Sequence, residues 1–252
     1  MQPVFSASFD GALILVSFLV AAILSRIAVR PVAQSIEEQK RFIADASHEL
    51  KTPLAVISAN NQILLSGAAE AQKEWLNSTS VEIKIMNDVL RDMLTLAQGE
   101  ALSVITKVNA DVSNIADGIC LQFDAVAFEK NITLESRIQE NVFADCDEKM
   151  IRRLFTILID NAVKYESEGG KVFVALQKNG NKTTFAVRNF GSTVKKEDLP
   201  HLFERFYRAD KSRSGGGVGL GLAIAKNIAD LHGGTIKAAS SETTGTLFIA
   251  EF

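Results

Sequence analysis

His48 stands directly before a carboxylate, Glu49, and one helical turn ahead of a hydroxyl, Thr52, in the run from Phe42 to Pro53. An imidazole attacks an electrophile only once its ring proton can leave, and an adjacent carboxylate can orient the ring and take that proton as general base. The combination suits a site that accepts a phosphoryl group. A solitary histidine on a helix is more often a surface or capping residue, so the reading depends on what else the chain carries. More than a hundred residues downstream, Asp160-Asn161-Ala162 in a helical pattern and the run from Gly215 to Leu222 at a turn into another helix look like two halves of a nucleotide pocket.

The side chains of those halves have specific uses. The amide oxygen of Asn161 is the kind of hard ligand that joins Mg2+ bridging nucleotide phosphates. Without such a partner, an asparagine inside an apolar helix is costly, whereas Asp160 reads equally well as a surface charge. Glycines at 217, 219 and 221 let backbone amides approach phosphate, and the helix they open points its positive end at the same anion. Arg208 supplies charge for phosphate, while Phe203 and Phe206 pack a short lid, 209–216, against the core.

Two long helices must position His48. Ile36, Ile43, Leu50, Ile57 and Leu64 recur every seven residues, with Ala46 and Leu54 in the alternate seam. A second helix carries Leu76, Ile83, Leu90 and Ala97 at the same spacing, after a turn at 67–70. Such heptads imply a coiled, multi-helix core. One hairpin cannot close that core, so two copies paired as a four-helix bundle are the expected solution. With Ile43 and Leu50 inward, His48 faces solvent. Pro53 should kink its helix just past the histidine.

After a link at 98–101, helix and strand alternate. Helices are expected at 112–129, 148–165 and 219–231, and strands at 132–137, 171–177, 183–189, 235–239 and 246–252. Turns at Asn179-Gly180 and Gly233-Gly234 should join antiparallel neighbours. The expectation is an α+β protein whose second part is an α/β sandwich, a mixed sheet with helices on one face.

Composition narrows the partners. The chain has 252 residues and a formal net charge of -3 with no long basic stretch, which argues against nucleic acid. Cys120 and Cys146 lack metal-ligand or Cys-x-x-Cys spacing and read as small apolar groups in a reducing compartment. Residues 11–29 form an apolar run, interrupted only by Arg26, that would rise about 28 Å as a helix, just enough to span a bilayer. A signal peptide would begin with a basic stretch, and none precedes Asp10. Arg26 and Arg30 follow the uncharged stretch 11–25, so residues 1–10 are expected outside, too few to form a sensor, and everything after Pro31 in the cytoplasm.

Taken in order, these motifs resemble the sensor histidine kinases of bacterial two-component systems. The likeness runs from about Ser35 to Phe252: the H box at 42–53, the N box at 153–165, the F box at 202–208 and the second glycine box at 217–222, which includes Leu220. It implies a dimerising, histidine-bearing hairpin over 30–98 and an ATP-binding domain over 102–252, of the kind shared with gyrase and the heat-shock chaperone ATPases. It further implies ATP and Mg2+ as cofactors, His48 as phosphoacceptor, a response regulator as partner, and a homodimer held at the cell membrane. Lys164 and Tyr165 resemble family residues that contact phosphate and hydroxyl groups. Thr52 resembles residues that position water for removing phosphate from the regulator.

The chain departs from the family in two places. Ile157 stands where a second asparagine is usual. The first glycine box, whose aspartate accepts a hydrogen bond from the adenine amino group, here reads Asn189-Phe190-Gly191-Ser192-Thr193. A neutral acceptor is weaker than a carboxylate by about 1 kcal/mol. A non-catalytic or phosphatase-only signalling scaffold with weakened ATP binding is the alternative that this substitution leaves open.

Overall fold

The computed structural model describes residues 13, 15–21, 26, 30–65, 72–101, 105–209 and 218–252. The expected extracytoplasmic residues 1–10, most of the apolar run at 11–29, the turn at 67–70 and most of the lid lie outside the described residues. Among the described residues, no helix is long and apolar enough to cross a membrane.

The chain divides into two compact units, Met1–Val56 and Ile57–Phe252. Helix α1, spanning Arg30–Leu65, belongs mostly to the first and runs on into the second. A proline inside a helix removes a donor and crowds the preceding turn. The helix nevertheless continues on both sides of Pro53, which is itself buried, so the proline does not end it. In this unit Ala46 is buried, whereas Ile43, a heptad residue, is 57% exposed.

The second unit begins with the end of α1 and helix α2, Gln72–Ala101. Asn60 lies buried there, its amide donating to the hydroxyls of Ser78 at 3.1 Å and Thr79 at 3.2 Å, which ties the two helices beside their connection. The link expected at 98–101 is instead the last turn of α2. Loss of the heptad there ends a packing stripe but not the helix, because Ala97, Gln98, Glu100 and Ala101 favour helix and offset Gly99.

Beyond it lies an α/β sandwich. Strand β1 (Val108–Asp111) leads into α3 (Val112–Glu129), then β2 (Thr133–Ile138), β3 (Phe143–Cys146), α4 (Glu148–Tyr165), β4 (Lys171–Asn179), β5 (Lys182–Asn189), α5 (Gly221–Leu231), β6 (Thr235–Ser241) and β7 (Gly245–Glu251). The main sheet has the order β2-β4-β5-β7-β6, with β2 and β4 parallel and every other pair antiparallel, so the expected mixed sheet is present. A second sheet pairs β1 with β3. Each of those two strands has four residues, too few to show an alternating pattern, and neither was legible in the sequence.

Alternation makes the core. Val172, Val174 and Leu176 of β4 and Phe185 and Val187 of β5 turn inward. Against them α4 buries Ile151, Leu154, Phe155 and Leu158, and the Phe155 ring stacks on Phe185 at 3.7 Å. Asp111 caps α3 and Asp147 caps α4, each accepting a backbone N–H three residues on. The Asn179-Gly180 hairpin is as expected. Gly233-Gly234, however, joins α5 to β6 rather than two strands. Gly233 takes a φ of +75°, and a Cβ on Gly234 would sit 1.9 Å from the Glu251 carbonyl oxygen. The β6–β7 hairpin turns at residues 242–244, ahead of Gly245.

Candidate nucleotide-binding site

Four of the stretches singled out in the sequence meet around one cavity of about 800 Å³. Helix α4 brings Asn161, Lys164 and Tyr165, and the end of β5 brings Asn189 followed by Gly191. Arg208 arrives from the F-box segment, and Gly219, Leu220 and Gly221 open α5. Residues 215–217 of the glycine run lie outside the described residues; the other pocket residues expected from sequence line this cavity. Its apolar part is formed by Ile157, Leu202, Leu220 and Phe248. Apolar walls of this kind accept a planar ring, while the polar groups lining the same cavity suit a charged tail.

The end of β5 is stitched to the end of α4. The buried Asn189 amide donates to the Tyr165 carbonyl at 3.4 Å, the Phe190 N–H donates to Glu166 Oε2 at 2.6 Å, and the Ser167 hydroxyl donates to the Gly191 carbonyl at 3.2 Å. Gly191 is required by this seam, since a Cβ there would lie 2.1 Å from the Ser167 nitrogen. With its amide nitrogen turned to Tyr165, Asn189 keeps its oxygen for a ligand.

Gly219 has an equally local reason. Its φ is +79°, and an added Cβ would sit 2.8 Å from the Tyr207 oxygen. Its carbonyl accepts the Phe206 N–H at 3.0 Å, which joins the F-box segment to the start of α5. Phe206 itself has a positive φ of 60°, an uncommon conformation for a bulky residue. Among the described residues no side chain caps the start of α5 at Leu220, an arrangement that suits its first backbone N–H groups to an anion. Phe203 packs edge-on against Phe248, as expected for a residue anchoring the lid to the core.

Charge converges around Lys164. Burial lowers the Lys164 ammonium below its usual range, with Arg208 and Lys130 adding repulsion and Asp160 opposing them. A bound polyanion would relieve that repulsion. Asn161 lines the cavity, and its one amide oxygen is a donor that fits Mg2+ completed by phosphate oxygens and water. Among the described residues, no three His, Cys, Asp or Glu side chains gather as a separate metal site.

Two contributors were missed in the sequence. Thr246 pairs in register with Asn189 on the neighbouring strand, is buried, and lines the cavity, its hydroxyl donating to the Ser192 carbonyl at 2.9 Å. A polar residue on the inward face of β7, in line with Phe248 and Ala250, was the available signal. Helix α2, read only as half of a hairpin, also lines the cavity through Ile85, Asp88, Val89 and Asp92, and Asp92 pairs with Arg153 of α4. Burial raises the Asp92 carboxyl against the opposing pull of Arg153.

His48, Glu49 and Thr52 sit together on α1. His48 and Thr52 are exposed and Glu49 is half-buried, so the expected solvent-facing histidine is found.

Comparison with known proteins agrees with this geometry. Residues 38–102 match the His Kinase A (phospho-acceptor) domain, and residues 146–252 match the histidine kinase-, DNA gyrase B- and HSP90-like ATPase. The chain is 36% identical over 221 residues to the sensor histidine kinase YkoH of Bacillus subtilis, an alignment covering 86% of this chain and 48% of that protein. The sensor protein DltS of Streptococcus agalactiae is 33% identical over 87% of this chain and 55% of its own length. The chain thus spans about half the length of the curated relatives it matches. Among solved structures, histidine kinase ThkA in complex with response regulator protein TrrA shares the fold with a TM-score of 0.71 at 20% identity, over 92% of this chain and 65% of that one.

Proposed function

Because the chain belongs to the sensor histidine kinases of bacterial two-component systems, we propose that it moves the γ-phosphoryl group of ATP to His48 and then to an aspartate of a response regulator. The observation that carries this reading is the convergence of Asn161, Lys164, Asn189, Arg208 and Gly219 on one cavity from segments far apart in sequence.

Each group then has a task. The apolar slot takes the adenine, with the Asn189 oxygen accepting from its amino group. Lys164, Arg208 and the start of α5 hold the phosphates, and Asn161 holds Mg2+, which neutralises phosphate charge when bound. A ring nitrogen of His48 forms a bond to the γ-phosphorus as the bond to the bridging oxygen breaks and ADP leaves. Glu49 orients the ring and takes its proton. Exposure of His48 leaves it open to the regulator's carboxylate, which accepts the phosphoryl group in a second displacement. Thr52, one turn on, positions water for the reverse task of dephosphorylating the regulator.

The exposed heptad residues support a homodimer. The uncharged run at 11–25, followed by Arg26 and Arg30, supports a membrane anchor with the catalytic part in the cytoplasm. The test is incubation with γ-labelled ATP and Mg2+, with and without His48→Gln. Label on the unmodified protein and none on the variant is expected. Equal labelling would overturn the assignment.

A further inference from the structure

His232 closes α5 and takes no part in the cavity, yet it is buried. Its ring bridges the two helices that carry the pocket. Nδ1 lies 2.7 Å from the carbonyl oxygen of Ile228 in its own helix, and Nε2 lies 3.0 Å from the backbone nitrogen of Asp147, the cap of α4. A carbonyl only accepts and a backbone N–H only donates. The two contacts therefore admit one protonation state, a neutral ring with its hydrogen on Nδ1 and a lone pair on Nε2.

We propose that His232 is an acid-sensitive clasp between the C-terminus of α5 and the N-terminus of α4, and that protonation at Nε2 opens it and loosens the nucleotide cavity. A second proton would point at the Asp147 N–H, replacing a hydrogen bond with two opposed donors. Asp147 is already engaged, its carboxylate capping α4 through the Met150 N–H at 3.1 Å. A break there therefore disturbs the start of the helix that ends in Asn161, Lys164 and Tyr165.

The surroundings favour the neutral ring. Burial lowers the His232 imidazole below its ordinary value, and the Lys107 ammonium, which also donates to the His232 carbonyl, adds to this. The bond to Ile228 and the Asp147 charge oppose. Phe252 packs edge-on against the ring from the C-terminal end. A group depressed in this way contributes fully above its unfolded value of about 6.5 and is lost as pH falls through the folded one.

The effect on nucleotide rests on reading the cavity as an ATP site; the clasp itself does not. Affinity for MgATP by calorimetry and melting temperature are measured between about pH 8 and about pH 5.5 for the unmodified protein and His232→Gln. Glutamine keeps an amide donor and acceptor but has no titrating proton. The unmodified protein should lose affinity by at least about threefold, and melt several degrees lower, on the acid side, while the variant stays flat. In parallel, ¹⁵N shifts of the His232 ring should report the neutral Nδ1-protonated form at neutral pH, which tests the clasp even where the variant does not fold. An identical acid loss in both proteins, or a ring protonated on Nε2 at neutral pH, overturns the proposal. Absence of MgATP binding at every pH would sink the reading of the cavity instead, while the melting curves and ring shifts still decide the clasp.

Discussion

The long helices and the α/β sandwich treat their apolar residues in opposite ways. In the sandwich, the inward residues of α4 are sealed, with Ile151, Leu154, Phe155 and Leu158 all at 0% exposure. Along α1 and α2, apolar residues of the same quality stand open. Leu54 and Leu76 are about half exposed, and Ile83 and Leu90 only slightly less. A sheet covered by helices closes its own core, whereas a helix carries one stripe and needs partners on it. The sandwich that carries the candidate cavity closes its core within one chain, whereas the long helices leave apolar residues open, as the proposed dimer requires.

That contrast can be broken from either side. The largest effect is expected at Asn161→Ala, which should abolish His48 labelling while leaving the dimer intact, because the residue lies in the cavity and at no heptad position. Full activity in that variant would remove Asn161 from the Mg2+ site.

Next comes a pair of truncations. Leu154→Ala opens a cavity in a sealed core and should cost about 2–5 kcal/mol of unfolding free energy. Leu76→Ala removes a side chain that is open in the single chain, so its effect should appear as weaker self-association in sedimentation rather than as a lower melting temperature of the sandwich. Equal effects on melting would erase the distinction.

Asn189 gives a smaller change. Asn189→Leu leaves the adenine amino group unpaired and should weaken ATP binding by about 1 kcal/mol. Asn189→Asp offers a charged acceptor but loses the donor to the Tyr165 carbonyl, so a change within about threefold is expected. Calorimetry showing the leucine variant to be as tight as the unmodified protein would place this residue outside the base slot.

The smallest effect on stability belongs to Thr52→Ala, an exposed position expected to stay within about 0.5 kcal/mol. His48 labelling should survive it, while decay of a phosphorylated regulator slows. Unchanged decay would leave Thr52 with no role beyond the helix.

Much of this molecule was written locally. The capping aspartates and amphipathic stripes of α3 and α4 determine where those helices begin and end, since both signals act within a few residues. Asn179-Gly180 marks its hairpin for the same reason, and the ordered motifs name the residues of the cavity. Other features depend on partners remote in sequence. The strands β1 and β3 exist because they pair with each other, not because four residues prefer to extend. Thr246 joins the pocket through its register with Asn189, and Gly191 is forced by the approach of Ser167. Gly233-Gly234 reads as a hairpin in isolation and becomes a helix-to-strand connection only because Glu251 lies against it. The neutral state of His232 is likewise decided by a backbone N–H 85 residues away. Sequence settles what short-range hydrogen bonds and periodicity can settle; pairing, close approach and protonation wait for the fold, because their partners arrive only when the chain has closed.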